Sequence, residues 1–243
     1  RYKGKAVTAM ATMEMETTDM DTRADDRANL EEEMRSRAAF YRFLSDAILH
    51  EFTSDQVEAF RDIRVQDGLD EEIANGFSRI RRYLTTAGAD PRTELACDYA
   101  RVFLSAGVYD GLTAEPYESV FTSDEKIMMQ DARDDVVRIY RENQVDVDEK
   151  LRMPEDHLGL EFEFLAVMAE KTADALDAAK LDAATAMLVT QRDFLDHHIL
   201  NWIDPLSEKV VEFAELPFYP AIMDIARAFV QDDRTCLDSL LVL

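Results

Sequence analysis

His157 is one of four histidines in the chain. It follows Pro154-Glu155-Asp156 and leads into Leu158-Gly159-Leu160-Glu161-Phe162-Glu163-Phe164-Leu165. A proline and two acids ahead of an apolar run predict a helix beginning near Glu155. The first backbone N–H groups of a helix lack intrahelical partners, so polar side chains placed there can meet a ligand. The chemistry open to such a place is acid–base work, metal binding or capture of a peptide. Spacing decides about the metal. His157 and Glu161 are four residues apart and share a helix face, and His197 and His198 could in principle join them. The residues three positions before the histidines are Ala47, Pro154, Phe194 and Leu195. The Glu-x-x-His pairs of carboxylate-bridged di-iron bundles are therefore missing, as are His-x-x-x-His and HExxH. No metal ligand is assigned. Of His197 and His198, one is expected to pack inside the bundle and the other to face water.

Nucleophilic catalysis finds no better support. There is no Gly-x-Ser-x-Gly elbow. Cys97 lies mid-helix beside Asp98, which raises rather than lowers a thiol pKa. Walker A and GxGxxG loops are absent, and no catalytic residue is assigned. A second stretch, Glu115-Pro116-Tyr117-Glu118-Ser119-Val120-Phe121, also joins irregular chain to a helix start and also mixes acid, proline and aromatic. Glu115, Glu118, Asp156 and Glu161, set beside Tyr117, Phe121 and His157, would suit a peptide carrying arginines next to an apolar run. Arginine pairs with carboxylates in bidentate fashion, and an apolar run docks on exposed aromatics and aliphatics. The bland reading stands beside this one, because acids at helix starts also answer the helix dipole.

The elements that must position these residues read as helices. Leu30, Met34, Ala38, Tyr41, Leu44 and Ile48 recur at spacings of three and four within a helix over about 26–52. Ser54 is the expected N-cap of a short helix with Val57, Phe60 and Ile63. A helix with Ile73, Phe77, Ile80 and Leu84 ends near Gly88, the expected C-cap. Asp90-Pro91 starts another, with Leu95, Tyr99, Val102 and Phe103. Residues 105–121 are helix-poor, and long ordered loops inside domains tend to carry function. Thr122 and Glu125 predict a capping box that opens a helix running to about Asn143. After the 155–180 helix, a further one holds Met187 through Trp202. Two or three shorter helices close the chain, turning at Leu216–Pro220. The result is an all-α, single-domain bundle of roughly nine to eleven helices over residues 25–243, behind a disordered N-terminal tail of residues 1–24.

Composition sets outer bounds. The 243 residues can bury a full core without staples. Only 7 Gly and 6 Pro interrupt the helical composition. With 51 acidic against 27 basic residues, the formal charge is −24, spread over every segment. That distribution reads as adaptation to high salt, as in a halophile, and it disfavours binding to nucleic-acid backbone. Two cysteines, Cys97 and Cys236, fit a reducing cytoplasm as packed thiols. No apolar run approaches the roughly 20 residues of a membrane span. The first ten residues are basic without the apolar stretch of a secretory signal.

Four motifs, in order, resemble a known family. Asp98-Tyr99-Ala100-Arg101-Val102-Phe103-Leu104 resembles its "DYxRLFL" helix. The stretch from Glu115 to Phe121 resembles its "E-P-x-E-S-V-Y" loop, and Pro154 to Leu165 its "P-x-D-H-L-x-x-E-L-x-F" signature. Phe194, His197 and Trp202, followed by Phe218-Tyr219, are similar to a later phenylalanine–histidine–tryptophan pattern. The resemblance spans about residues 30–235 and is to the TorD/DmsD group of redox-enzyme maturation chaperones, with the NarJ nitrate reductase chaperones as cousins. It implies an all-helical cytoplasmic protein, not an enzyme, that binds the catalytic subunit of a molybdopterin oxidoreductase and its twin-arginine leader. It implies help with cofactor insertion and delay of export. For the leader it implies Asp156, His157, Glu115, Pro116 and Ser119, with Tyr99 and Phe103 as neighbours; Pro154 and Glu161 complete the candidate set. No cofactor is expected to be tightly bound, with molybdopterin guanine dinucleotide or GTP at most transient. Monomer and homodimer both stay open. The alternatives are a NarJ-like assembly chaperone that needs no leader, and a helical enzyme dependent on a metal or nucleotide.

Overall fold

The first helix, α1 (Lys3–Leu49), carries the predicted stripe. Met34, Ala38, Tyr41, Leu44 and Ile48 on it are fully buried. Nine more α-helices and one π-helical turn follow among the described residues of this computed structural model. These are residues 3–64, 68–106, 113–147 and 151–242, with side chains from residue 25 onward. The expected tail over residues 1–24 lies outside the residues with described side chains.

The centre of the bundle is α7 (Leu158–Asp177). It is apolar nearly all round, as a helix enclosed on every side must be, and Leu158, Phe162, Leu165, Ala166, Ala169 and Ala173 on it are completely buried. α1 lies along it. A Cβ on Gly159 would stand 2.5 Å from Leu49 Cγ and 3.2 Å from the Ser45 carbonyl. A side chain of any size there would push the start of α7 off the end of α1.

Around this pair run α2 (Ser54–Arg61), α3 (Glu71–Thr86), α4 (Pro91–Phe103), α5 (Glu118–Thr122), α6 (Asp131–Glu142), α8 (Leu181–Phe194), α9 (Ile203–Phe213) and α10 (Phe218–Leu241). α3 packs on α10, and Gly76 allows the approach, since a Cβ there would meet Ile225 Cγ1 at 2.4 Å. A buried polar clamp ties α10 to α1. Arg37 donates to both Asp233 oxygens at 2.5 and 2.8 Å, and the Tyr41 hydroxyl donates to Asp233 Oδ2 at 2.5 Å. No helix among the described residues is long and apolar enough to cross a membrane.

The element boundaries differ from expectation in instructive places. The N-cap of α2 is Thr53 and not Ser54, in a reciprocal capping box with Gln56. α3 ends at Thr86 with extended Ala87 as its C-cap, so Gly88 is not used. α4 opens as expected, with the Asp90 side chain accepting from Thr93 N–H and Pro91 in the first turn. The capping box expected at Thr122 and Glu125 does not form. Thr122 ends α5 and its hydroxyl donates to the Glu118 carbonyl. Lys126 and Met129 then take φ of 55° and 65°, which no right-handed helix accommodates, so α6 waits until Asp131. α7 begins at Leu158, with His157 as its N-cap. The helix expected through Trp202 gives way after Phe194 to a π-turn, Leu195–Ile199. The chain closes on α9 and one 24-residue helix, α10, not on a set of short ones. Pro220 is tolerated in α10 because first-turn N–H groups need no helical partner. Cys97 is exposed and Cys236 half-buried, so the two thiols are not both packed in the core.

Candidate functional site

The two stretches singled out in the sequence touch. Tyr117 and His157 form an isolated antiparallel β-bridge. The Glu118 N–H donates to the Asp156 carbonyl at 2.9 Å, and the Leu158 N–H donates to the Pro116 carbonyl at 2.8 Å. This short pairing sets the starts of α5 and α7 side by side. Each start is then capped by a side chain from the second stretch. His157 Nδ1 accepts from the Gly159 N–H at 3.1 Å, capping α7. Asp156 Oδ2 accepts from the Ser119 N–H at 2.9 Å, capping α5, whose own N-cap residue, Tyr117, supplies no side-chain bond.

Beneath the bridge lies a buried group of acids. Glu118 is 2 % exposed, Asp156 and Glu161 not at all. Glu118 Oε2 lies 2.9 Å from His198 Nδ1, and its Oε1 accepts from Asn201 at 3.2 Å. His198 Nε2 faces the carboxylate of Asp135 at 3.4 Å. Among the described residues, Asp156 Oδ1 and both oxygens of Glu161 find no hydrogen-bond partner. Burial, reinforced by Glu118 and Asp156, holds the Glu161 carboxyl well above its usual range and so favours its protonated form. Burial also raises Asp156. In the opposite sense, burial with a smaller contribution from His50 pushes the His157 imidazole down to about 3, leaving it neutral and able to cap by its lone pair. The Tyr117 ring meets that imidazole edge to face, with centroids 5.0 Å apart. Tyr140 completes the floor, its phenol pushed up by burial and by Glu161 and Asp156.

The site residues expected from the sequence separate into two sets. Glu115, Pro116, Ser119, Asp156, His157 and Glu161 belong to the bridge and its floor, while Pro154 is half-buried in the chain leading up to it. Tyr99 and Phe103 sit in a ring cluster with Tyr219, at 5.8 and 5.3 Å. The Tyr99 hydroxyl donates to the Ile48 carbonyl. Tyr99 still flanks the site, since Glu51 and Tyr117 add to the burial that pushes its phenol up to about 12. The imagined surface of Glu115, Glu118, Asp156 and Glu161 is corrected on one point. Only Glu115 and the neighbouring Tyr117 are half-exposed, while the other three acids face inward. Asp156 turns inward as the cap of α5, Glu118 turns inward to meet His198 and Asn201, and Glu161 lies in the enclosed first turn of α7.

Asn201 and Asp135 were not foreseen; of the histidine pair, one was expected to pack, and that one is His198. The signal available for His198 was its spacing of four to Trp202, whose indole N–H donates to the His198 carbonyl at 2.5 Å. His197 is exposed, its Nδ1 2.7 Å from the Asp193 carbonyl, and His198 is the packed one. The π-turn that carries both is a feature often found where function resides. Among the described residues no group of three or more histidine, cysteine or acidic side chains is arranged to hold a metal ion. What the geometry offers is a rigid, acid-lined junction between two helix starts, with half-exposed Glu115 and Tyr117 at its edge.

The nitrate reductase delta subunit family matches residues 66–208, which include both stretches and the π-turn. A chaperone protein TorD of Vibrio cholerae serotype O1, Classical Ogawa strain, is 30% identical over 214 residues, 84% of this chain and 93% of the relative. The TorD of the El Tor Inaba strain is 30% identical over 202 residues, 83% of this chain and 88% of the relative. A Psychrobacter TorD is 24% identical over 217 residues, 84% of this chain and 93% of the relative. With the family match covering more than half its length and these relatives aligned nearly end to end, the chain belongs to the nitrate reductase delta subunit family, in which it stands with the TorD chaperones.

Proposed function

We propose that the protein is a maturation chaperone for a molybdopterin oxidoreductase, binding the twin-arginine leader and the incomplete catalytic subunit until assembly is finished. Membership of the family supports the coarser statement, a chaperone for a redox enzyme and not itself an enzyme. The observation that supports the finer one is the junction of Tyr117 with His157. It places a half-exposed carboxylate, Glu115, and a half-exposed aromatic, Tyr117, on a frame that buried caps make rigid. A positively charged, apolar peptide segment finds there both an acid to pair with and a ring to pack on. Neither His157, neutral and occupied by Gly159, nor buried Glu161 is placed to turn over a substrate. Molybdopterin guanine dinucleotide belongs to this reading as cargo for the client, and contact with it or with GTP as transient. The protein works in the cytoplasm, ahead of export, as a monomer or a homodimer.

Calorimetry tests the reading. The full chain is titrated with the twin-arginine leader of the oxidoreductase encoded beside it, and separately with the leader-less apo-subunit, at low and at high salt. Binding of the leader supports the proposal. Binding of the apo-subunit alone favours the NarJ-like alternative, and binding of neither overturns both.

A further inference from the structure

Among the described residues, three consecutive large apolar side chains face solvent between α5 and α6: Ile127 at 53 %, Met128 at 42 % and Met129 at 58 % exposure. The segment holding them is tightly built. The Lys126 N–H donates to Ser123 Oγ at 3.1 Å and the Lys126 ammonium to the Phe121 carbonyl at 2.6 Å. The Gln130 side chain donates to the Met128 carbonyl at 3.0 Å. Two non-glycine residues, Lys126 and Met129, are held in left-handed backbone. Such strain persists where surrounding structure over-determines it, and it clusters at ligand clamps. Exposed apolar groups fixed by this many bonds, with no described side chain over them, present a surface.

The rim of that surface is anionic. A cleft of about 380 Å³ beside it is lined by Thr122, Ser123, Asp124, Glu125, Gln130 and Asp131, among others. Asp124, Glu125 and Asp131 enter no ion pair among the described residues. The nearby cations are engaged elsewhere: Lys126 on the Phe121 carbonyl, Arg133 on Glu155 in a bidentate pair at 2.6 and 3.0 Å. Free carboxylates beside flexible methionines suit a partner that is cationic and apolar at once and whose apolar sequence varies, since methionine repacks readily around different side chains.

The segment is also wired to the buried caps. The Gln130 N–H donates to Ser119 Oγ at 3.1 Å, and the Ser119 N–H donates to Asp156 Oδ2 at 2.9 Å. Asp156, wholly buried, has no route to a peptide of its own. We propose that Ile127-Met128-Met129 and the acidic cleft beside them extend the surface begun by Glu115 and Tyr117, and are where the greater part of a peptide with arginines next to an apolar run docks. Asp156 is then a positioning residue that holds this surface through Ser119 and Gln130. The identity of the peptide rests on the function proposed above; the place where it docks does not.

The test uses the full chain and a synthetic peptide in which an Arg-Arg pair precedes a leucine- and alanine-rich run, followed by fluorescence anisotropy. The triple variant Ile127→Ser, Met128→Ser, Met129→Ser is expected to weaken binding at least tenfold with an unchanged thermal midpoint. Asp124→Asn, Glu125→Gln and Asp131→Asn together are expected to weaken it less at high salt than at low. Asp156→Ala is expected to weaken binding and to speed hydrogen exchange at the Ser119 and Gln130 amides. Asp156→Asn, which keeps an acceptor oxygen, restores both. Wild-type binding that the loop variant leaves intact overturns the docking surface and spares the function. Weakening by Asp156→Ala without faster exchange at Gln130 overturns the positioning role. A wild-type chain that does not bind the peptide overturns the docking surface together with the leader reading.

Discussion

Replacing Glu161 by glutamine should make the protein more stable in a way that depends on pH. Glu161 is wholly buried, its two oxygens find no hydrogen-bond partner among the described residues, and the Glu118 and Asp156 carboxyls both oppose its ionisation. In the unfolded chain its carboxyl titrates at the ordinary value near 4.5. In the folded chain it holds its proton well above that. Between those two values the folded state binds one proton more than the unfolded state. Stability therefore falls as pH rises, by about 1.4 kcal/mol per pH unit for this one group. The contribution is complete below 4.5 and is lost progressively as pH climbs toward the folded-state value. Glu161→Gln has no carboxyl to ionise. The free energies of wild type and variant should converge below pH 4.5. Above it they should separate by about 1.4 kcal/mol per unit until the folded-state value is reached. Urea unfolding at fixed salt, repeated at half-unit steps from pH 4 to 8, reads the separation. Parallel curves would mean that Glu161 is ionised in the fold, and the account of the buried acids would be wrong.

Two further outcomes follow from packing and pairing. Gly159→Ala forces a Cβ to within 2.5 Å of Leu49 Cγ. Overpacking of that kind costs about 1–3 kcal/mol, only partly offset by better helix propensity, and a lowered urea midpoint with unchanged slope would show it. Asp233→Ala strands the buried guanidinium of Arg37 and the hydroxyl of Tyr41. Breaking a buried pair from one side should remove about 3–5 kcal/mol. The paired change Arg37→Met with Asp233→Leu should recover much of the loss, which a double-mutant cycle by calorimetric melting measures.

The helical character of the chain was legible because periodicity and caps are local. The stripe from Met34 to Ile48 and the start at Asp90-Pro91 depend on neighbours a turn away, and both appear where the spacing puts them. Boundaries failed where a longer-range bond competed. The Thr122–Glu125 capping box reads well in sequence. Yet Ser119 draws the Gln130 N–H and Phe121 draws the Lys126 ammonium, so the chain turns through left-handed backbone instead. The two motif stretches meet in the fold, but the direction their acids face was not legible in the sequence. Asp156 and Ser119 are 37 positions apart, and no pattern in either stretch says that one caps the other.

By itself, the sequence determined an acidic, all-α chain and the order of its motifs, because composition and spacing suffice for those. It also determined that His157 stands at a helix mouth. Only the tertiary structure decided which way that mouth faces. The bridge between Tyr117 and His157 pairs two short extended pieces with no periodicity of their own, and their meeting turns Asp156 and Glu161 into the core. The same pairing anchors Ser119, and through it the exposed segment from Ile127 to Met129. Bonds formed across the fold, the Asp156 cap on Ser119 and the Glu118 pairing with His198, set how the acids of the two motifs are buried, because partners 37 and 80 positions away leave no local pattern in the chain.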